Sequence, residues 1–127
     1  AVTNIEMRDK ISAENGKIAG APEGFDPFYG APVILMVIAD KNFETIYRYD
    51  GALVIGNMLN AAASLGLGSI WIHRCKEEFD SEFGKQILKD LGIEDHYEGV
   101  GHVALGYSAV PNPEAPARKD NWVYYIK

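Results

Sequence analysis

The run Leu65-Gly66-Leu67-Gly68-Ser69-Ile70-Trp71-Ile72-His73-Arg74 constrains this chain more than any other stretch. An apolar helical segment leads into it and a strand-like segment leaves it. Gly66 suits the left-handed position that closes a helix, where a residue with a Cβ is poorly tolerated. The strand that follows is β-branched and aromatic, then turns abruptly polar at His73-Arg74. A buried strand that ends in polar side chains and open backbone is a common frame for a ligand site. The Gly-x-Gly does not make a dinucleotide fingerprint. Trp71 stands where that motif needs a third glycine, and the order here is helix, glycines, strand instead of strand, glycines, helix. Taken locally, an ordinary helix-to-strand connection accounts for the glycines.

The surrounding pattern supplies the other elements. Ala1 to Asn4 reads as the tail of a strand entered midway, which suggests a fragment or a processed product. Met7 to Lys17 reads as a short amphipathic helix ending near Gly16. Gly20 to Gly30 holds Pro22, Pro27, Phe25, Phe28 and Tyr29 and reads as a loop that packs on something. Pro32 to Ala39 is an unbroken apolar run of strand length, typical of a strand covered on both faces. A helix is predicted from Ile46 or Asp50 to Leu65, and a strand over Gly68 to Ile72. Ser81 or Asp80 can cap a helix that ends at Leu91, with Gly92 beyond it. Gly99 to Tyr107 reads as a strand. Pro111, Pro113 and Pro116 make the next segment stiff and non-helical, and Trp122 to Lys127 is aromatic and strand-like.

On the helix from Asp50 to Leu65, the polar residues Asp50, Asn57, Asn60 and Ser64 share one narrow stripe. Nearly all the remaining circumference is apolar, so burial on more than one side is predicted. Two arrangements satisfy that pattern: a helix in a subunit interface, or one sandwiched in the centre of the fold. The interface is favoured because a chain of 127 residues has limited interior. Gly51, Gly56 and Ala61 to Ala63 would allow a neighbouring helix to approach closely.

The length suits a single domain over residues 1–127, and an apolar fraction of 47% can support a core. A net charge of −6 argues against nucleic-acid binding, which normally shows a basic stripe. No apolar run is long enough to read as a membrane span, and the first residues do not read as a charged-then-apolar leader. Cys75 is the only cysteine, which fits a cytoplasmic setting. His73, His96 and His102 lack metal-ligand spacing, so no metal site is predicted. Cys75 reads as an inert thiol, and Glu77-Glu78 with Asp80 as a solvated acidic turn. No side chain stands out as catalytic. The chain is therefore either not an enzyme or one whose cofactor carries the chemistry.

The segment Ile55-Gly56-Asn57-Met58-Leu59-Asn60-Ala61-Ala62-Ala63-Ser64-Leu65-Gly66-Leu67-Gly68-Ser69-Ile70-Trp71-Ile72 resembles the helix-to-strand core of the nitroreductase family of flavin enzymes. Gly101-His102-Val103-Ala104-Leu105-Gly106-Tyr107 resembles the family's later strand, and Pro32 to Asp40 its preceding buried strand. Pro116 to Tyr125, with Arg118 and Lys119, resembles its basic site and C-terminal tail. The resemblance implies an α+β fold with a central mixed sheet flanked by helices, dimerising around the long helix. It implies one FMN per subunit at the homodimer interface, with no residue assigned a catalytic role. Trp71, Ile72, His73 and Arg74 match the segment that lies against the flavin ring, where the N–H of Ile72 or His73 would reach N5 or O4. Arg118 matches the residue that holds the FMN phosphate, with Lys119 as a neighbour able to substitute. The implied reaction passes electrons from NAD(P)H through FMN to a small electron-poor acceptor, such as a nitroaromatic or a quinone. The family's arginine-rich phosphate clasp and its Asn-x-Gln-Pro-Trp-like segment are not found here. The chain thus resembles the C-terminal part of the family fold, lacking the N-terminal segment. The competing reading is a non-catalytic flavin-binding or dimerisation module that has lost that clasp.

Overall fold

The computed structural model describes residues 1–43, 45–111 and 114–127. In chain order the elements are α1 (Ile5–Ala19), β1 (Val33–Asp40), α2 (Tyr47–Ser64), β2 (Gly68–Ile72), α3 (Cys75–Asp80), α4 (Glu82–Asp90) and β3 (Tyr97–Gly106). The three strands form one sheet in the order β1-β3-β2. Helix α2 packs on one face through Ile55, which meets Val37 and Val103, with Trp71 and Leu59 beside them. The other face carries Ile34, Ala104 and Ile72 and is covered by Ile11 of α1 and Phe28. Cys75, Phe79 and Leu88 extend that layer through α3 and α4. The architecture is α+β.

Local chemistry explains the element ends. Asn4 caps α1 by accepting the Met7 N–H at 2.9 Å. The helix runs through Gly16 and stops at Gly20, whose φ of 66° is the left-handed conformation that terminates it. Val2 bridges Ile34 with two backbone hydrogen bonds, so the first residues do line the outer edge of β1. Ser81 caps α4 by accepting the Gly84 N–H.

The sheet differs from the mixed one expected. Both neighbouring pairs are antiparallel, β1 with β3 and β2 with β3. The strands β1 and β2 run in the same direction, but β3 separates them. The register of β1 against β3 shifts between Val37 and Ile38, whose partners are Gly101 and Gly99. Val100 is therefore an extra residue on β3, and such a bulge bends a strand and re-aims its side chains. The flanking glycines are required by close approach. A Cβ on Gly99 would lie 2.3 Å from the Cys75 carbonyl oxygen, and one on Gly101 would lie 2.2 Å from the Trp71 indole nitrogen.

The long helix is not sandwiched in the centre of the subunit, which leaves the interface arrangement as the alternative expected for it. Within the subunit only one side of α2 is buried, at Gly51, Ile55 and Ala62. Asn57 and Asn60 lie on the open side together with Leu53, Val54, Ala61 and Leu65. Residues 77, 78 and 80 do not form a solvated turn. They belong to α3, and Glu78 is buried. Trp122 to Lys127 forms no strand, and the described residues of 107–127 carry neither helix nor ladder. Of the proline-rich segment there, Pro113 lies outside the described residues.

The 20–30 loop packs as its composition suggests, and a polar anchor holds it. Asp26 accepts the Ser12 hydroxyl at 2.7 Å and the N–H groups of Phe28 and Gly30 at 2.9 and 2.7 Å, and pairs with the Arg8 guanidinium. Burial by itself would raise this carboxyl. The Arg8, Ser12 and backbone donors outweigh it and bring Asp26 down to about 2. The anchored loop buries Phe28 completely against the sheet.

Candidate functional site

Strand β2 delivers Trp71 and Ile72 to opposite faces of the sheet, because side chains alternate along a strand. Trp71 goes to the α2 side and Ile72 to the α1 side. The chain then leaves the sheet at His73 and Arg74, which are exposed. The His73 ring stacks on Trp71, with centroids 5.4 Å apart and planes 25° from parallel. Arg74 adopts φ 74°, the left-handed region, without being glycine. That conformation typically costs about 1–3 kcal/mol and persists only where the surroundings impose it.

Two backbone carbonyls show what imposes it here. The His73 carbonyl oxygen accepts the Asn15 side-chain amide at 2.8 Å. The Arg74 carbonyl oxygen accepts the Glu78 N–H at 2.9 Å and so begins α3. The chain has no cis peptide among the described residues. In a trans peptide the N–H points opposite to the C=O. With the His73 carbonyl drawn inward to buried Asn15, the Arg74 N–H is turned outward. Neither it nor the His73 N–H meets a hydrogen-bond acceptor among the described residues. The corner thus presents backbone donors beside a flat aromatic stack. A cleft of about 390 Å³ adjoins it, lined by His73, Arg74, Lys76, Glu77 and Val100. The Arg74 guanidinium donates to Glu77 at 2.9 Å, which holds the Glu77 carboxyl below its ordinary value.

Beneath the corner lies a buried polar cluster. Asn15 donates to the Glu78 carboxylate at 2.5 Å as well as to the His73 carbonyl. The His102 ring nitrogen Nε2 lies 2.9 Å from the other Glu78 oxygen, and both residues are almost completely buried. Neither ring nitrogen is aligned for a regular hydrogen bond, and the ring meets Phe28 edge-on at 5.4 Å. Cys75 is also buried, and burial pushes its thiol well up, so it remains a protonated thiol.

Arg118 and Lys119 are placed elsewhere. Both are exposed, in a cleft of about 860 Å³ lined entirely by residues 115–123. The Lys119 ammonium sits 5.8 Å from the centroid of the Trp122 ring. The structure therefore groups Trp71, Ile72, His73 and Arg74 into one corner and leaves the two cations on the tail. A further groove of about 650 Å³ lies between the first residues and α4, among Val2, Met7, Met36, Phe79 and Leu88. Its lining is mostly apolar and carries no lysine or arginine.

The sequence reading did not find Asn15, Glu78 or His102. Glu78 carried a usable signal. It stands three after Cys75 and next to Phe79, on the helical face that those residues bury. Asn15 carried little, because the buried face of α1 is Arg8, Ile11, Ser12, Asn15 and Gly16, which is mostly polar.

Among the described residues no group of three or more His, Cys, Asp or Glu could hold a metal ion. No described helix is long and apolar enough to cross a membrane. No curated relative matches the chain. Solved structures do match. A Bacteroides fragilis nitroreductase with bound FMN is 25% identical, with TM-score 0.80 over 99% of this chain and 73% of its own. A Desulfitobacterium hafniense nitroreductase with bound FMN is 25% identical, with TM-score 0.83 over the same shares. An FMN-dependent nitroreductase from Clostridium difficile, at 22% identity, TM-score 0.68 and coverage of 99% and 74%, shares the fold. The nitroreductase family model matches residues 6–107, from the start of α1 to the end of β3. The chain belongs to the nitroreductase family of flavin-dependent oxidoreductases.

Proposed function

We propose that this protein is an FMN-dependent oxidoreductase that takes electrons from NAD(P)H and delivers them to a small electron-poor acceptor of the nitroaromatic or quinone type. The observation that carries the reading is the outward Arg74 N–H, held by a strained backbone at the end of β2 beside the Trp71–His73 stack. This donor set fits the acceptor-rich edge of a flavin ring. FMN, when bound, supplies the redox chemistry that links a nicotinamide donor to the acceptor. The chain's own part is to orient and to polarise. The His73 and Arg74 N–H groups would meet ring acceptors, and fixed donors there favour an electron-rich, reduced ring. This shifts the proposed donors one residue along from Ile72 and His73. The aromatic stack would shield one side of the edge from water. Arg118, with Lys119 beside it, would hold the phosphate, since a guanidinium donates to phosphate in parallel pairs. Their exposed position makes docking of the tail part of FMN binding.

The open face of α2 supports a homodimer. Leu53 is 66% exposed and Leu65 73% exposed, with Val54 between them in sequence. Apolar patches of this kind on a helix face mark association surfaces. The lone buried thiol suits a reducing, cytoplasmic setting.

Anaerobic spectroscopy tests the function. The protein mixed with FMN is expected to turn yellow, to bleach with NADH or NADPH, and to recover its colour with a nitroaromatic or quinone. A colourless dimer that takes up no FMN would instead support a dimerisation module without catalysis.

A further inference from the structure

We infer that Asn15 and Glu78, packed against the buried His102 ring, form a positioning pair that sets the direction of the backbone donors at the β2–α3 corner, and through them tunes a bound flavin. The inference rests on the FMN reading above and deepens it by naming residues remote from any ligand surface.

The argument begins with the two carbonyls that flank Arg74. The His73 carbonyl is held by the Asn15 side chain, and the Arg74 carbonyl by the Glu78 backbone N–H. Glu78 therefore acts twice. Its backbone fixes one carbonyl, and its carboxylate accepts from the same Asn15 amide that fixes the other. A left-handed arginine would relax if either hold were lost, because no glycine is there to make the conformation cheap. Rotating the His73–Arg74 peptide carries its N–H with it, since the peptide is planar.

The cluster is also placed to resist relaxation. Asn15, Glu78 and His102 are each at most 2% exposed. They come from three different elements, α1, α3 and the middle strand β3. Water cannot replace one of them cheaply, and a buried carboxylate that loses its donor is strongly destabilised. The Asn15 amide has two protons and two acceptors, so its orientation is fully specified. The Phe28 ring closes the cluster from the loop side. Because one Asn15 amide donates to both the His73 carbonyl and the Glu78 carboxylate, the two holds on the corner are coupled.

The test compares two substitutions on the same buried face of α1. Asn15→Ser removes the amide from the corner. Ser12→Ala removes a buried hydroxyl that bonds only to Asp26, on the loop side. Both are expected to lower the melting temperature. Only Asn15→Ser is expected to free the corner. Its Arg74 amide resonance should shift and exchange with solvent at least tenfold faster, with no FMN present. With FMN added, binding should weaken about five- to tenfold, as loss of one well-directed hydrogen bond allows. Reduced flavin should lose more than oxidised flavin, so the midpoint potential should fall. Ser12→Ala should leave the Arg74 resonance and the potential where they were. Equal behaviour of the two variants in these measurements would overturn the inference. Should Asn15→Ser fail to fold, the unmodified protein decides: rapid exchange of the Asn15 side-chain amide protons, at rates seen for exposed asparagines, would overturn it, and slow exchange would uphold it. If the unmodified protein binds no FMN, the functional reading falls, while the FMN-free Arg74 measurement still judges the pair.

Discussion

Two segments carry the residues that resemble a flavin site, and the molecule treats them oppositely. The β2–α3 corner is irregular for only two residues, His73 and Arg74, and the buried Asn15 side chain and the Glu78 N–H hold their carbonyls. The tail beyond β3 is irregular throughout its described length, and its aromatic and cationic residues face solvent. Trp122 is 73% exposed and Tyr124 82% exposed. A segment with that much open apolar surface is built to be covered by something else. The corner's backbone is held in one conformation by buried partners, whereas the described residues of the tail lie exposed. The loop at residues 20–30 shows that composition is not what separates them. It too is rich in proline and aromatics, yet Asp26 ties it down and Phe28 is fully buried.

The largest expected effect attacks the corner from below. Gly99→Ala places a methyl 2.3 Å from the Cys75 carbonyl oxygen, so α3 must move off the strand. We expect a loss of about 3 kcal/mol in urea denaturation. A loss below the error of the measurement would show that α3 is not pinned there. Next comes the outer face of α2. Leu53→Glu should weaken homodimer association roughly a hundredfold in sedimentation experiments, because a charge would be buried without a partner. The subunit itself should keep its stability within about 0.5 kcal/mol, since Leu53 is exposed within it. Ala62→Glu is the contrasting variant. Ala62 is 4% exposed and Leu59 packs inward beside Trp71, so charges there should unfold the subunit and say nothing about assembly.

A smaller effect belongs to the anchored loop. Asp26 is held at about 2, below its ordinary 3.8, so its contribution is complete above the ordinary value. It is lost as pH falls from there toward 2, and amounts to about 2 kcal/mol. Asp26→Asn should remove that part of the acid dependence, measured as stability between pH 5 and pH 2. An unchanged acid limb would mean that the loop is held by its apolar contacts alone. The smallest effect probes the tail. Arg118→Ala should weaken FMN about tenfold while leaving riboflavin, which has no phosphate, nearly unaffected. Equal weakening of both would show that the tail acts through packing. A selective loss with Lys119→Ala instead would move the phosphate contact by one residue.

Much of the fold was legible because its signals are local. The cap at Ser81 follows from side-chain chemistry, and the apolar run at Val33 to Ala39 from burial on both faces. Helix α1, expected over Met7 to Lys17 with its end near Gly16, instead runs between caps at Asn4 and Gly20 that the strand-like start and the loop-like glycine concealed. The acidic run was misread because two of its members, Glu77 and Asp80, do lie in solvent while Glu78 does not. Charge alone cannot distinguish them. The helical spacing from Cys75 can. The tail was misread as a strand because aromatic residues favour strands only where a neighbour exists to pair with, and Trp122 to Ile126 have none in this subunit among the described residues. The corner's segment was legible from Trp71 to Arg74, but its support was not. Asn15 and His73 meet across 58 residues of chain, through contacts that no local pattern encodes.

The strand order has a consequence for how this chain comes into being. The middle strand, β3, is the last of the three to be synthesised. Until it emerges, β1 and β2 have no ladder to join, and the apolar stretch Val33 to Ala39 waits uncovered along one edge. Closing loops of that length has an entropic cost before any contact repays it, and such topologies fold slowly. A nascent chain halted before Gly99 would hold its helices and none of its sheet, a state prone to aggregate and to engage chaperones. Val33 pairs with Leu105 and Gly68 with Gly106, so the three-stranded sheet closes with the last few residues of β3. Only after that does the tail emerge, and it arrives at a surface already formed.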